Sequence, residues 1–300
     1  MKRQTVAKLI LRPSLCKGLV GLFALLLPFI TAGAQERCHY TTADSACVVK
    51  LLASSDVPKE QGRDVLYFAR KFLGLPYVAH TLELFPDDER LVLNTRELDC
   101  TTYVDVVVAL TLCHRRGETT FAQYVHQLHQ QRYWDGKCDG YPSRIHYFSD
   151  WIRDNSRLGY ASEVQAPRPP FSAIQMVKVN YMTQHPKQYV SLDRHPEYLP
   201  TIARQERELT GKKFRYIPTA QLLNTETVRG AVHDGDIIGI VTQAPGLDIA
   251  HLGIAVWHDN GLHMIDASSL QKKVVEETIT LKQYLQRRKN ALGIRVIRLK

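Results

Sequence analysis

Past residue 34 the sequence has no apolar run of membrane-spanning length, no internal repeat and no low-complexity tract. These absences exclude a multi-span membrane protein and a repeat array as the class of the main chain. A basic stripe interleaved with aromatics is also missing, so nothing marks a nucleic-acid partner. His126 and His129 stand three apart without further ligands nearby, and read as solvated side chains rather than as a metal pair.

What is present begins with an export signal. Lys2, Arg3, Lys8, Arg12 and Lys17 form an acid-free basic start, and Gly18 to Ile30 is apolar apart from the interruption by Pro28. Ala32-Gly33-Ala34 supplies the small residues of a cleavage site, which predicts a signal peptide over 1–34 and Gln35 as the mature N-terminus. The apolar run is shorter than the ~20 residues that cross a bilayer, so stable membrane insertion after cleavage is not expected. Cys16 precedes the run and Cys38 follows a polar stretch, which argues against lipid attachment. The chain is therefore expected to be exported and periplasmic. Its formal charge of +9 falls to +4 once the five leader cations are gone, a mild excess suited to an anionic wall polymer.

Five cysteines remain: Cys38, Cys47, Cys100, Cys113 and Cys138. In an oxidising compartment thiols tend to pair, and an odd number leaves at least one without an internal partner. Cys38 and Cys47 are near enough in sequence to bridge. A leftover thiol is a candidate nucleophile, and local sequence must select it.

Helical spacing is expected from Pro58 to Phe72, from Cys100 to Leu112 and over 118–133, with short strands and loops over 77–98. The segment 134–225 reads as loop-rich, and long irregular stretches of this kind more often form a binding wall than a linker. Strand patterns then occupy 236–242 and 251–257. Asp259-Asn260-Gly261 is a hairpin signal, 262–267 the return strand and 294–299 a closing strand. Helices followed by an antiparallel sheet make an α+β fold, here one domain over 35–300 with an insertion at about 134–225.

Cys100 stands where a buried helix begins, behind Asp99 and ahead of Thr101 and Thr102. Unpaired amides and the positive helix end stabilise a thiolate there and can receive the oxyanion of an attacked carbonyl. Cys113, deep in the same helix, has neither advantage. His251 opens a strand after the loop Gly246 to Ala250, where its ring can take the thiol proton and return it to a leaving amine. A third group must hold the imidazole. An ideal hairpin register puts residues near 269 opposite His251, so Asp266 is the closer candidate; a one-residue slip would favour His263.

Three segments carry a resemblance. Leu98-Asp99-Cys100-Thr101-Thr102-Tyr103-Val104, Ala250-His251-Leu252-Gly253-Ile254-Ala255 and Ile265-Asp266-Ala267-Ser268 resemble the three motifs of the NlpC/P60 cell-wall peptidases and amidases. Many members carry His where Asp266 stands. Ser143 to Trp151, Met182-Thr183-Gln184-His185-Pro186 and Gly235-Asp236-Ile237-Ile238 narrow it to the DUF1460, N-acetylmuramoyl-L-alanine amidase-like branch, from about residue 60 to the end. The resemblance implies a papain-like core, with the nucleophile helix packed on an antiparallel sheet. It also implies cleavage of the N-acetylmuramoyl-L-alanine amide of peptidoglycan fragments, with 1,6-anhydro-muropeptides preferred, through Cys100, His251 and Asp266 and with no metal or other cofactor. Arg144 is then a candidate for a substrate carboxylate in fork geometry, and His146, Tyr147 and Thr183 for the sugar or peptide side. Each of these also has a structural reading: Arg144 as a buried loop clamp, Tyr147 as a core aromatic. The rival functions are a γ-D-glutamyl-diaminopimelate endopeptidase, a transglutaminase-type acyl transferase and a muropeptide-binding protein with an inert cysteine.

Overall fold

Residues 38–300 are described in a computed structural model; the expected leader over 1–34 lies outside the described residues. Strand β1 (Cys38–His39) leads into helices α1 (Thr42–Leu52) and α2 (Arg63–Arg70), and pairs in parallel with β2 (Leu91–Val92). Helices α3 (Cys100–Arg115) and α4 (Phe121–Arg132) follow. Every residue of α3 from Thr102 to Cys113 is buried, which explains why its apolar residues run all the way round rather than along a stripe. The β-branched triplet Val106-Val107-Val108 is helical because burial and a reciprocal cap outweigh its propensity. Asp105 is the polar exception. Fully inside, it meets the Arg132 Nε of α4 at 2.8 Å, and α3 and α4 are tied by that ion pair.

The segment expected to be loop-rich carries regular structure instead. It holds α5 (Phe148–Arg157), β3 (Ala161–Val164), β4 (Ala173–Met176), α6 (Tyr181–Gln184), α7 (Val190–Arg194), α8 (Leu199–Leu209) and β5 (Lys213–Pro218). Strand β4 pairs with β5 inside the segment, while β3 depends on a remote partner. The Ala-Ser-Glu-Val of β3 has no strand-like alternation of its own and pairs with the end of the chain, Leu299 to Val296. Residues from this segment build a small core of their own, around Tyr141, Tyr147, Val179, Met182, Leu192 and Ile202.

After α9 (Glu226–Ala231) come β6 (Ile237–Thr242), β7 (Ile249–His258), β8 (Gly261–Ser268), β9 (Lys273–Glu276), α10 (Leu281–Gln286) and β10 (Ala291–Leu299). The sheet runs β4-β5-β10-β6-β7-β8-β9, with β3 also on β10, and all its pairs are antiparallel. Two residues, Asp259 and Asn260, turn β7 into β8, with Gly261 at φ 142°. Helix α3 packs on β7 and β8, in one core with Leu252, Ile254 and Ile265. Helices α9 and α10 close a second core with Ala255, Met264 and Val296. Both faces of the sheet are thus covered, and all of β8 is buried. Among the described residues no helix is long and apolar enough to cross a membrane.

Candidate active site

Cys100 occupies the first position of α3. The Thr102 N–H donates to Asp99 Oδ1 at 2.8 Å while the Asp99 N–H donates to Thr102 Oγ1 at 2.9 Å, a reciprocal cap that fixes where the helix starts. The Cys100 thiol is thereby held at the amino end of the helix with the first amides beside it. Cys113, thirteen residues on, is sealed inside, and burial pushes its thiol up to about 12, which keeps it protonated and unreactive. Cys38 and Cys47 carry free thiols, so the bridge their spacing allowed does not form.

His251 is aimed by an irregularity in the sheet. Ile240 of β6 faces His251, but Val241 faces Ile249, so Ala250 is an extra residue that bulges β7 next to the histidine. On the other side the β7–β8 ladder pairs Ile254 with Ile265. Continuing that register puts Ser268 opposite His251 and Asp266 a diagonal step away on the same face. The His251 Nε2 donates to Asp266 Oδ2 at 2.6 Å, and Asp266 is wholly buried. Tyr284 of α10 stacks on the ring at 6.4 Å.

The remaining ring nitrogen, Nδ1, is the one open to the Cys100 sulfur. Burial opposes a charge on His251, yet the neighbouring sulfur and the Asp266 carboxylate outweigh it and raise the imidazole to about 10. An imidazolium is therefore stable beside this sulfur. His263 lies elsewhere. Its Nδ1 contacts the Glu277 carbonyl and its Nε2 the Asn260 side chain, both at 2.8 Å, near the hairpin turn.

Cys100 and His251 open onto a cavity of about 190 Å³ whose walls include His146, Tyr147, Tyr189 and Asp248. Of the four residues expected to bind substrate, the structure brings His146 and Tyr147 to it. Arg144 and Thr183 do not line this cavity, which corrects the expectation for both. The Arg144 guanidinium is buried, donating to the Leu82 carbonyl at 3.1 Å and to Glu83, with Glu89 at 3.7 Å. It clamps the 82–89 loop and leaves no fork for a substrate carboxylate. Thr183 is taken by Glu206, whose buried carboxylate also accepts from Tyr147 OH at 2.6 Å and from the Met182 amide at 3.1 Å.

One residue near the sulfur escaped sequence reasoning. Burial, then the charges of Cys100 and Asp99, push the Tyr77 phenol up, so this ring stands within electrostatic reach of the nucleophile. Its signal was positional: Tyr77 follows the Gly74-Leu75-Pro76 helix stop and bridges to Leu98, two residues before Cys100.

The family model for N-acetylmuramoyl-L-alanine amidase-like proteins matches residues 67–294, a span that contains Cys100, His251 and Asp266. The chain belongs to that family. An N-acetylmuramoyl-L-alanine amidase from Bacteroides uniformis is 41% identical, covering 80% of this chain and 98% of its own, with a TM-score of 0.74. A Bacteroides fragilis protein named provisionally as a xylanase is 40% identical over 77% of this chain and 99% of its own, at a TM-score of 0.72. A Legionella pneumophila protein, 22% identical over 89% of this chain and 96% of its own, shares the fold at a TM-score of 0.66. No curated protein matches the chain. Membership of this amidase-like family makes a peptidoglycan-directed hydrolase the coarse function of the chain.

Proposed function

We propose that the protein hydrolyses the amide between N-acetylmuramic acid and L-alanine in peptidoglycan fragments, 1,6-anhydro-muropeptides in particular, as an exported cysteine amidase with a papain-like, NlpC/P60-type core. The observation that carries this reading is the His251 ring, held by a buried carboxylate on one nitrogen and open to the Cys100 sulfur on the other.

Transfer of the thiol proton to His251 leaves a thiolate at the positive end of α3. The sulfur attacks the lactyl carbonyl carbon, and the carbonyl oxygen becomes an oxyanion beside the first-turn amides. The Tyr77 phenol, near enough to feel the charge of Cys100, is the residue we assign as second donor to that oxygen. As the C–N bond breaks, His251 returns its proton to the L-alanine nitrogen and the peptide leaves as an amine. Water, deprotonated by His251, then cleaves the thioester and regenerates the thiol. Asp266 orients the ring throughout and offsets its charge. No metal or cofactor enters this scheme. The small cavity favours a released fragment over intact wall, and the mild positive charge of the mature chain suits an anionic substrate.

The test is mass spectrometry of purified protein with defined anhydro and reducing muropeptides. The expected products are a free muramic sugar and an intact stem peptide, from the anhydro form faster. Cys100→Ala should abolish release, and Tyr77→Phe should slow it on the order of 10²-fold. Full activity in Cys100→Ala overturns the mechanism, and a cut inside the stem peptide would replace amidase with endopeptidase.

A further inference from the structure

The cavity holds a second imidazole that the scheme above does not use. His146 lies on its wall, between Arg144 and the start of α5, in the same cavity as Cys100 and His251. Its Nε2 stands 3.1 Å from the Tyr141 main-chain carbonyl. A carbonyl can only accept, so Nε2 carries the hydrogen and Nδ1 is a bare lone pair. Among the described residues nothing donates to Nδ1. The Tyr141 and His146 rings also touch, with centroids 4.5 Å apart, and the Arg144 guanidinium lies over the same tyrosine at 4.9 Å. The ring is thus locked by a backbone contact, a ring contact and a clamped neighbour.

We propose that His146 is a fixed hydrogen-bond acceptor for substrate: its Nδ1 takes a hydrogen from one N–H or hydroxyl of the fragment bound beside Cys100. This rests on the amidase reading for the identity of the fragment. Burial, with the Arg144 charge adding to it, holds the imidazole down at about 3, so it neither serves as a second base nor turns into a donor at neutral pH. Arg144 then acts on substrate only through His146, as a positioning residue. Buried polar nitrogens are mostly satisfied within the protein; His146 Nδ1 is not, and unlike His129, whose Nε2 is also unpaired, His146 lines the cavity that holds Cys100.

Binding is measured by calorimetry on a Cys100→Ala protein, with an anhydro-muropeptide and with analogues methylated at one N–H or hydroxyl at a time. In that background His146→Leu should weaken binding about tenfold. His146→Asn, whose side-chain carbonyl can stand where Nδ1 does, should recover most of the loss. One methylated analogue should bind His146 protein about tenfold more weakly than the parent and bind the His146→Leu protein no more weakly still. Equal penalties for every analogue in both backgrounds, or undiminished binding by His146→Leu, overturn the proposal. The rate at which iodoacetamide alkylates Cys100 in an otherwise unaltered His146→Leu protein should stay within about twofold, separating lost recognition from a collapsed site. Hydrolysis of the parent fragment by the unaltered protein reports on the amidase reading alone, so the two can fail separately.

Discussion

The two walls of the cavity are built on different principles. On the sheet side, His251 and Asp266 belong to one hairpin, fifteen residues apart, and a two-residue turn brings them to 2.6 Å. Around the side formed by the inserted segment, His146 is held by Tyr141 five residues back, but Arg144, Tyr147 and Thr183 are each decided by a partner farther along the chain. Arg144 is claimed by Glu83, about sixty residues back, and Tyr147 and Thr183 by Glu206, well ahead. A local wall keeps its chemistry from the pattern of its own strands. A wall made from distant segments spends most of its polar groups holding itself together, and only what is left over faces the ligand.

The largest expected effect is on the local wall. Asp266→Asn should lower kcat on the order of 10²-fold or more while leaving the fold intact, because it loosens the ring and its tautomer. It should also shift the pH profile. Asp266 helps raise His251, so removing its charge lowers that value, and the alkaline limb of kcat should move to lower pH. The sign for stability agrees: a raised imidazole stabilises the fold fully below its unfolded value of about 6.5, and that contribution is lost as pH rises through about 10. An unmoved alkaline limb in Asp266→Asn would erase the distinction between a catalytic and a structural wall.

Next comes the clamp. Arg144→Ala removes the cation from between Glu83 and buried Glu89, and should cost about 3 kcal/mol of stability in denaturant unfolding. Its KM should rise through disturbance of His146. If KM rises tenfold with stability unchanged, Arg144 touches substrate after all and the contrast between the walls breaks.

The smallest effect sharpens the comparison beneath the cavity lining, where Asp150 feels the charge of Asp248. Asp150, in the first turn of α5, is pushed up to about 6 by burial, against the pull of Arg153 and with the push of Asp248. For a carboxyl raised above its unfolded value near 3.9, the favourable contribution holds below that value and is lost as pH rises through about 6. Asp150→Asn should therefore stabilise the protein by about 1–2 kcal/mol at pH 8 and by almost nothing at pH 4, read from paired thermal melts.

Much of the helical half and the sheet was legible because burial and turns write periodic patterns. The start of α3 was readable from Asp99 and Thr102, whose cap is made within one turn, and the β7–β8 hairpin from Asp259-Asn260-Gly261. Helix α1 and strand β9 carry no distinctive pattern, and β3 and β4 read as loop, since short or polar strands gain their stability only from a neighbour. Tyr77 was invisible for the same reason. Its place beside Cys100 comes from a bridge to Leu98 and a bond from its amide to the Lys272 carbonyl.

By itself, the order of residues determined which thiol stands at a helix start, put His251 in a strand, though two residues inside β7 rather than at its opening, and narrowed its partner to Asp266 or His263. Those outcomes depend on contacts within a turn or a hairpin, where chain connectivity limits the choices. The structure alone decided that Arg144 is a clamp and that Glu206 holds Tyr147 and Thr183. Those outcomes depend on which buried groups meet across long separations, and a buried polar group must be paired by whatever the fold brings to it.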